Sequence, residues 1–292
     1  MIQIIKPILL ATRPKTLTTS ISPVIVGSAF SIGHQNYNLS IFLCTLFAAI
    51  FIQVGTNFVN DLYDYLKGAD NDNRLGPERM VQAKLISIQS MKYLILGTFF
   101  MAILCGIPLV LRGGYPILII GLTSIISGYA YTAGPYPLGY NGWGDLFVFC
   151  FFGPIAVCGT YFLQTLSISS ESILSGFILG CLSVTLLCVN NIRDCETDKG
   201  VGKKTLAVRF GSQFVRIMFV GLFLLSYLFS IYLSFSLNTK IFLIFIFLTI
   251  PFFFSLSRDI FNLKADKLNP LLGKVSSYII IYSLIIIFCI FI

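Results

Sequence analysis

Long apolar stretches alternate with short polar segments along the whole chain, and this alternation defines the predicted elements. Nine stretches are long enough, at roughly 17 residues or more, to cross the hydrocarbon core of a bilayer as helices. They cover residues 17–33, 40–66, 88–111, 114–131, 143–166, 172–196, 213–235, 239–257 and 275–292. The pattern therefore predicts an all-α polytopic membrane protein whose residues 1–292 form a single domain.

The composition of the chain agrees with a bilayer as its solvent. Hydrophobic residues make up 56% and charged residues 11% of the 292 positions, and the mean hydropathy is +0.88. Soluble domains contain about 45–50% apolar and about 25% charged residues. A soluble fold has no means of covering this much apolar surface, so the soluble classes of protein are excluded.

The distribution of positive charge predicts how the helices are oriented. With the N-terminus in the cytoplasm, 18 of the 20 Lys and Arg residues fall in predicted cytoplasmic segments, and Arg112 and Lys240 fall outside. This asymmetry follows the positive-inside rule. It predicts a multi-pass protein of the plasma (inner) membrane with its C-terminus outside. Contact with an anionic leaflet also explains the net charge of +8, so no nucleic-acid partner is expected.

Acidic residues are scarce, and two clusters of them lie at matching positions. The chain has 12 Asp and Glu residues, and the clusters lie at the predicted cytoplasmic ends of the second and sixth spans. Helical spacing places each cluster in a stripe along one helix face. The first stripe consists of Gln53, Asn57, Asp61 and Asp64, and the second of Asn190, Asp194 and Asp198. A carboxylate at mid-bilayer costs about 2.5–3.5 kcal/mol, so such stripes indicate a functional cavity.

A basic segment follows each stripe and completes the predicted site. Mg²⁺ prefers hard oxygen ligands and is held by one or two carboxylates together with substrate phosphates. Arg74 and Arg79 follow the first stripe, and Lys203 and Lys204 follow the second, where they are suited to grip a diphosphate. The two clusters are therefore predicted to form a clamp for magnesium and a diphosphate. The simpler alternative is that these acids mark helix ends and pair with the neighbouring lysines.

The positions of the two stripes also predict the symmetry of the fold. The second and sixth spans are four helices apart and run in the same direction. The chain is therefore predicted to form two four-helix halves followed by a ninth helix. Each half contributes one stripe, so the clamp is expected between the halves, at the mouth of a central cavity that is open to lipid.

Four stretches of sequence resemble motifs of a known family. They are Arg13-Pro-Lys-Thr-Leu, Asn60-Asp-Leu-Tyr-Asp-Tyr-Leu-Lys-Gly-Ala-Asp70, Gly134-Pro-Tyr-Pro-Leu-Gly-Tyr140, and Asn190-Asn-Ile-Arg-Asp194 with Lys203-Lys-Thr-Leu-Ala-Val-Arg209. The aspartate motifs are similar to those of the UbiA superfamily of intramembrane prenyltransferases. Within it, the chain most resembles the 1,4-dihydroxy-2-naphthoate polyprenyltransferases of menaquinone biosynthesis. Many members carry a further Asp where this chain has Gly68, and the resemblance leaves open whether Asp70 or Asp72 contacts the metal.

The resemblance implies the reaction and the residues that carry it. A polyprenyl diphosphate would alkylate 1,4-dihydroxy-2-naphthoate, with loss of carbon dioxide and diphosphate, to give demethylmenaquinone. The expected catalytic residues, which are also the expected ligands of the cofactor Mg²⁺, are Asp61, Asp64, Asp194 and Asp198. The expected substrate-binding residues are Asn57, Asn60, Lys67, Arg74, Arg79, Tyr131, Asn190, Asn191, Lys203 and Lys204. Substrates and membrane lipid are the expected partners, and no obligate protein partner is evident.

Several residues keep two interpretations at this point. Tyrosines near the site either stabilise an allylic cation or belong to the interfacial aromatic belt, and these are Tyr63, Tyr129, Tyr131 and Tyr136. Arg13 and Lys15 either bind a substrate carboxylate or anchor the chain at the interface. The only histidine, His34, is predicted on the outer side and is not expected to act as a base.

Two other functions are considered. The acceptor is alternatively another aromatic acid, such as 4-hydroxybenzoate. A secondary transporter with an ion site at the stripes is a more distant alternative, because transporters place such charges near the bilayer midplane, on helices that are broken there.

Overall fold

A computed structural model describes residues 2–32, 37–71 and 74–292, so His34 and Asp72 lie outside the described residues. The described chain consists of helices and loops, and about 81% of it is helical. The α-helices are α1 (Ile2–Ala11), α2 (Pro14–Ile32), α3 (Leu39–Leu66), α4 (Ile88–Ala130), α5 (Gly144–Phe152), α6 (Pro154–Thr165), α7 (Ser170–Arg193), α8 (Cys195–Gly200), α9 (Leu206–Phe210), α10 (Ser212–Ser236), α11 (Ile241–Leu248), α12 (Ile250–Asn262) and α13 (Asn269–Ile290). Short 3-10 helices cover Gly139–Asn141 and Ala265–Leu268.

Seven helical segments within the described ranges are long and apolar enough to cross a membrane. They are Leu39–Leu66, Ile88–Ala130, Gly144–Thr165, Ser170–Arg193, Ser212–Ser236, Ile241–Asn262 and Ala265–Ile290. The protein is therefore an integral membrane protein, as predicted. The first predicted span corresponds to α2, which has 19 residues, is rich in Ser and Thr, and is not among the seven.

The third and fourth predicted spans form one helical segment, α4, with 43 residues and an internal bend. The bend lies at Gly114, whose φ of 68° and ψ of −153° are readily adopted only by glycine. Pro116 follows two residues later and cannot donate a backbone hydrogen bond. The predicted break at this position is thus a change of direction inside one long segment.

The fifth predicted span is likewise interrupted, because α5 ends and α6 begins at Gly153. Pro154 is the first residue of α6, a position where its missing N–H group costs little. Glycines also allow close contact here with α7: a Cβ atom on Gly153 would lie 2.7 Å from Cα of Gly180. The pair α5–α6 therefore packs backbone to backbone against α7.

Helix α7 lies at the centre of the molecule and ends at the second acidic cluster. It begins with a capping box in which the hydroxyl of Ser169 accepts a hydrogen bond from the N–H group of Ser172. The helix contacts α2, α5, α6, α10 and α13. Its C-terminal cap is Asp194, so the best-packed helix of the fold carries one half of the predicted clamp.

The apolar core divides into a large cluster around α7 and two smaller clusters. The large cluster joins side chains of α7, α10 and α13, and it also includes Val26 and Phe30 of α2. A second cluster joins α3, the first part of α4 and the segment 80–86. Helix α2, which was predicted to belong to the first half, thus packs on the large cluster and also contacts α3 of the first half.

Candidate active site

Helices α3 and α7 deliver the two acidic stripes to one cavity of about 860 Å³. The cavity is lined by both clusters, through Asp61 and Asp64 of α3 and through Asp194 and Asp198 at and beyond the end of α7. Carboxylates at a helix C-terminus face the negative end of the helix dipole, so they require cations close by. The basic segments that follow each stripe supply those cations.

A single lysine joins the two stripes. The ammonium Nζ of Lys203 lies 3.3 Å from Oδ1 of Asp64 and 3.2 Å from Oδ1 of Asp198. Burial alone lowers the pKa of Lys203, but the two carboxylates outweigh burial and raise it above the usual value. Burial also raises the pKa of Asp198 to about 6, an effect that Lys203 partly opposes. The predicted meeting of the two stripes is thus present as a shared ion pair.

Tyr140 supports the same carboxylate from the side. Its hydroxyl donates a hydrogen bond of 2.7 Å to Oδ1 of Asp64. Its ring is flanked by two ammonium groups, with Lys67 Nζ 4.7 Å and Lys203 Nζ 4.6 Å from the ring centre. Burial, followed by the charge of Asp64, raises the pKa of the Tyr140 hydroxyl, which therefore acts as a donor. Tyr140 was not among the predicted site residues, although it ends one of the family-like stretches.

Asp61 is engaged differently from Asp64. Its Oδ2 accepts the backbone N–H of Met80 at 3.0 Å, and its Oδ1 accepts that of Val81 at 2.9 Å. The residue is 1% exposed. Asp61 therefore fixes the segment that directly follows Arg79 and so helps to place that guanidinium.

Asp70 pairs with the two arginines of the first basic loop. Nη1 of Arg74 donates to its Oδ1, and Nε of Arg79 lies 3.2 Å from its Oδ2 without hydrogen-bond geometry. Arg79 also approaches Oδ2 of Asp64, at 3.7 Å from Nη2. Burial raises the pKa of Asp70 to about 7, and Arg74 opposes this rise. Asp70 thus holds the basic loop, whereas Asp72 lies outside the described residues.

Asp194 is held by its own neighbour. Nε and Nη2 of Arg193 donate to Oδ1 and Oδ2 of Asp194 at 2.7 and 2.6 Å. Nη1 of Arg193 donates to Oδ1 of Asn269 at 2.9 Å, and Nδ2 of Asn269 donates to the carbonyl of Leu75 at 2.9 Å. These bonds join the second stripe, the start of α13 and the first basic loop. Arg193 stands beside an aspartate in sequence, but no local signal marks Asn269.

The remaining predicted residues divide into those that line the cavity and those that do not. Asn57, Asn60, Tyr131, Asn190 and Asn191 line it, together with Arg74, Arg79 and Lys203. Lys67 lies outside the lining and donates to the carbonyl of Thr132 at 2.7 Å. Lys204 has an exposed side chain and donates only its backbone N–H to the carbonyl of Tyr140, at 2.7 Å. Of the four candidate tyrosines, all within the described ranges, only Tyr131 lines the cavity.

The carboxylates of the cavity supply part of what a magnesium ion needs. Among the described residues, no three carboxylate, imidazole or thiol groups lie close enough together to hold a metal ion on their own. Asp64 and Asp198 nevertheless share one positive charge already, through Lys203. Two carboxylates fit Mg²⁺ when the other ligands are water and diphosphate oxygens. The residues present therefore fit a metal ion that arrives with its substrate.

Comparison with known proteins identifies the family to which the chain belongs. The model of the UbiA prenyltransferase family matches residues 20–278, and the chain belongs to this family. Two curated relatives bear the same name, 1,4-dihydroxy-2-naphthoate octaprenyltransferase. The protein of Haemophilus influenzae is 37% identical over 237 residues, which cover 78% of this chain and 76% of the relative. That of Bacillus subtilis is 32% identical over 240 residues, which cover 82% and 77%.

A solved structure of a UbiA homolog from Archaeoglobus fulgidus has the same fold. It was determined with DMAPP and Mg²⁺ bound, and it aligns with a TM-score of 0.69 at 17% identity. The alignment covers 96% of this chain and 98% of the other. The predictions of an all-α membrane fold and of the family are both confirmed.

Proposed function

We propose that this protein transfers a polyprenyl group from a polyprenyl diphosphate to 1,4-dihydroxy-2-naphthoate and so forms demethylmenaquinol, the reduced form of demethylmenaquinone, for menaquinone biosynthesis. The names of the curated relatives support the acceptor. The observation that carries the chemistry is the contact of Lys203 with Asp64 and Asp198, which brings the two stripes together. Carboxylates and cations at one cavity mouth suit a metal-bound diphosphate.

In this proposal the cavity wall holds the diphosphate and directs the alkyl transfer. Asp64 and Asp198 would hold Mg²⁺, which neutralises the leaving group when bound. Lys203 and Arg79 turn from their carboxylates to the diphosphate oxygens. The bond from the prenyl carbon to the diphosphate oxygen breaks, and the acceptor ring forms a bond to that carbon. The acceptor loses its carboxyl group as carbon dioxide, and the apolar wall excludes water from the allylic cation.

Asp61 and Asp194 are proposed as further metal ligands on one condition. Each must first give up a present partner, because Asp61 accepts two backbone N–H groups and Asp194 is paired with Arg193. Asp194 is the easier of the two to release, since 19% of its side chain is exposed, whereas Asp61 is buried. Asn57, Asn60, Tyr131, Asn190 and Asn191 would complete the substrate pocket.

We place the prenyl tail along α4, where the cavity is open to lipid. Apolar side chains on both sides of the Gly114 bend line the cavity and are also exposed, and they are Ile103, Ile107, Leu111, Leu118 and Leu122. Such a wall lets a long isoprenoid reach the hydrocarbon core, which a sealed pocket of about 860 Å³ would not.

The proposed topology keeps nine crossings of the plasma (inner) membrane in a single domain of residues 1–292. Helix α2 is counted as a crossing, and α4 as two that meet at Gly114, in addition to the other six apolar segments. The N-terminus is placed in the cytoplasm and the C-terminus outside. Labelling of single introduced cysteines from each side of sealed vesicles tests this topology.

Prenyl transfer by the purified protein in detergent tests the function. The assay supplies a polyprenyl diphosphate, Mg²⁺ and either 1,4-dihydroxy-2-naphthoate or 4-hydroxybenzoate, with Asp198→Asn as the inactive variant. Asp259→Asn is the matched control, because Asp259 pairs with Lys274 and does not line the cavity. Transfer only to 4-hydroxybenzoate would replace the acceptor but keep the site. Full activity of Asp198→Asn would refute the site.

A further inference from the structure

Arg13 lies in the turn between α1 and α2, and part of its guanidinium has no partner. The residue lines the cavity, and its Nε and Nη2 atoms are buried without a hydrogen bond to any described residue. No described carboxylate lies within ion-pair distance of it, and Asp61, Asp64 and Asp70 act on its charge only from farther away. Its backbone has a φ of 52°, a left-handed conformation that residues other than glycine rarely adopt. Buried, unpaired polar groups and backbone strain often mark binding sites.

The other mostly buried cations of the cavity wall are all paired. Within the described ranges, Arg74, Arg79, Arg193 and Lys203 each lie within ion-pair distance of a carboxylate. The pair of Arg193 and Asp194 shows within the same protein how an arginine binds a carboxylate. The Nε and Nη2 groups of Arg193 donate to both oxygens of the Asp194 carboxylate. The same two groups are the unpaired part of Arg13. The geometry of an arginine fork fits a carboxylate with two parallel hydrogen bonds.

The hydrogen-bonding groups beside Arg13 favour a carboxylate on an arene over the diphosphate as its ligand. These groups are uncharged: Asn57 Nδ2 donates to the carbonyl of Thr12 at 2.8 Å and lies 3.2 Å from Oγ1 of Thr16. Gln53 Nε2 lies 3.4 Å from the same hydroxyl. Amides and hydroxyls suit ring hydroxyl groups. The cations that suit a diphosphate are instead paired with Asp64, Asp70 and Asp198.

We propose that Arg13 binds the carboxylate of the aromatic acid through its Nε and Nη2 groups. This inference rests on the proposed function, because it names the residue that recognises the acceptor. Arg13 then explains why an acid is accepted at this position: a neutral arene would leave a buried guanidinium unpaired. Lys15, in the first turn of α2, also lines the cavity, but it is exposed and makes no ion pair with a described residue, so the interface-anchor interpretation fits it better.

Calorimetric titration of the metal-free protein tests this inference without turnover. The probes are 1,4-dihydroxy-2-naphthoate and 1,4-dihydroxynaphthalene, which differ only in the carboxylate. In Arg13→Gln, binding of the acid is expected to weaken about 10- to 100-fold and binding of the neutral arene less than about 3-fold. Arg13→Lys keeps the charge without the two-donor edge and is expected to lie between. Lys6→Ala, which removes an exposed cation of α1, is the control.

The outcomes separate this inference from the proposed function. Equal binding of the two probes to the wild-type protein, or an equal loss of both in Arg13→Gln, would overturn the inference. A loss confined to Mg²⁺–pyrophosphate, used as a third probe, would assign Arg13 to the diphosphate instead. Failure of the wild-type protein to prenylate the acid would refute the proposed function, whereas normal prenylation with unchanged acid binding in Arg13→Gln would refute only the role of Arg13.

Discussion

The two acidic clusters occupy matching positions in sequence, yet their carboxylates do different physical work. In the first cluster, Asp61 accepts two backbone N–H groups and Asp70 holds two arginines of the following loop. In the second cluster, the ion pairs of Asp194 and Asp198 are with the cationic side chains of Arg193 and Lys203. The first cluster therefore builds a loop, and the second is paired with side-chain cations that the proposed metal ion would replace.

Asp64 is the exception that connects the clusters. Among the described carboxylates of the first cluster, it is the one that reaches Lys203, and Tyr140 fixes its position. The comparison teaches that spacing along a helix identifies a group of acids but not the task of each member. The atom that each carboxylate contacts decides whether it stabilises a loop or faces a substrate.

The largest expected effect comes from the two carboxylates that share Lys203. Asp64→Asn and Asp198→Asn should each lower kcat/KM for prenyl transfer about 1000-fold or more, because each removes half of the paired site. The double variant should lose little beyond either single variant, since the two groups act as one unit. Additive losses in this double-mutant cycle would show that the clusters act separately.

The second effect is a stability difference between Asp61 and Asp198. Asp61→Asn should lower the free energy of unfolding by about 1–3 kcal/mol, because a buried amide cannot accept both N–H groups. Asp198→Asn should leave the metal-free protein as stable as before or more so, since burial disfavours its charged form. Thermal unfolding in detergent measures both. Equal destabilisation by the two changes would contradict the division of tasks.

A smaller effect is expected at the connection between the clusters. Asn269→Ala removes the bonds to Arg193 and to the carbonyl of Leu75. The apparent constants for Mg²⁺ and for the polyprenyl diphosphate should rise about 3- to 10-fold, while KM for the acceptor stays nearly constant. Asn262→Ala, at the exposed end of α12, is the control. An unchanged Mg²⁺ dependence would show that Asn269 only packs α13.

The smallest effect is a pH dependence of stability. Burial raises the pKa of Asp70 to about 7 and that of Asp198 to about 6. The folded protein therefore binds these protons more tightly than the unfolded chain, whose carboxyls titrate near pH 4. The metal-free protein should lose stability as the pH rises from 4 to about 7, seen as a fall of the unfolding midpoint by a few degrees. Asp70→Asn should flatten the upper part of this slope.

The sequence was sufficient for the elements and contacts that depend on local spacing. The stripes follow from intervals of three and four residues along α3 and along α7 with α8, and the site forms where α3 and α7 end. The bend of α4 was predicted as a break because Gly113 and Gly114 follow Arg112, although the helix continues past it. The packing position of α2 was not predicted. Its Ser and Thr residues are buried among other helices, which its sequence does not indicate.

Contacts between distant parts of the chain were beyond sequence reasoning. The bond from Asn269 to Leu75 crosses 194 positions, and no local pattern links the two residues. Lys67 lies outside the cavity, and the side chain of Lys204 is exposed. Both positions depend on loop conformations that the spacing of residues along the chain does not determine. The same holds for Arg13, whose two possible roles differ only in which way the turn before α2 directs its side chain.

Lys203 is a counterion that the chain itself supplies to the acidic residues of the cavity. Its ammonium already balances part of the charge of Asp64 and Asp198, so a metal ion held by these carboxylates would replace a tethered counterion and would not enter a bare pair of repelling charges. Exchange of this kind would weaken the binding of free metal ions. It would also favour product departure, because the Lys203 ammonium could return to Asp64 and Asp198 once the diphosphate and its metal ion were released. Each catalytic cycle would then end with the site reset by the protein's own charge.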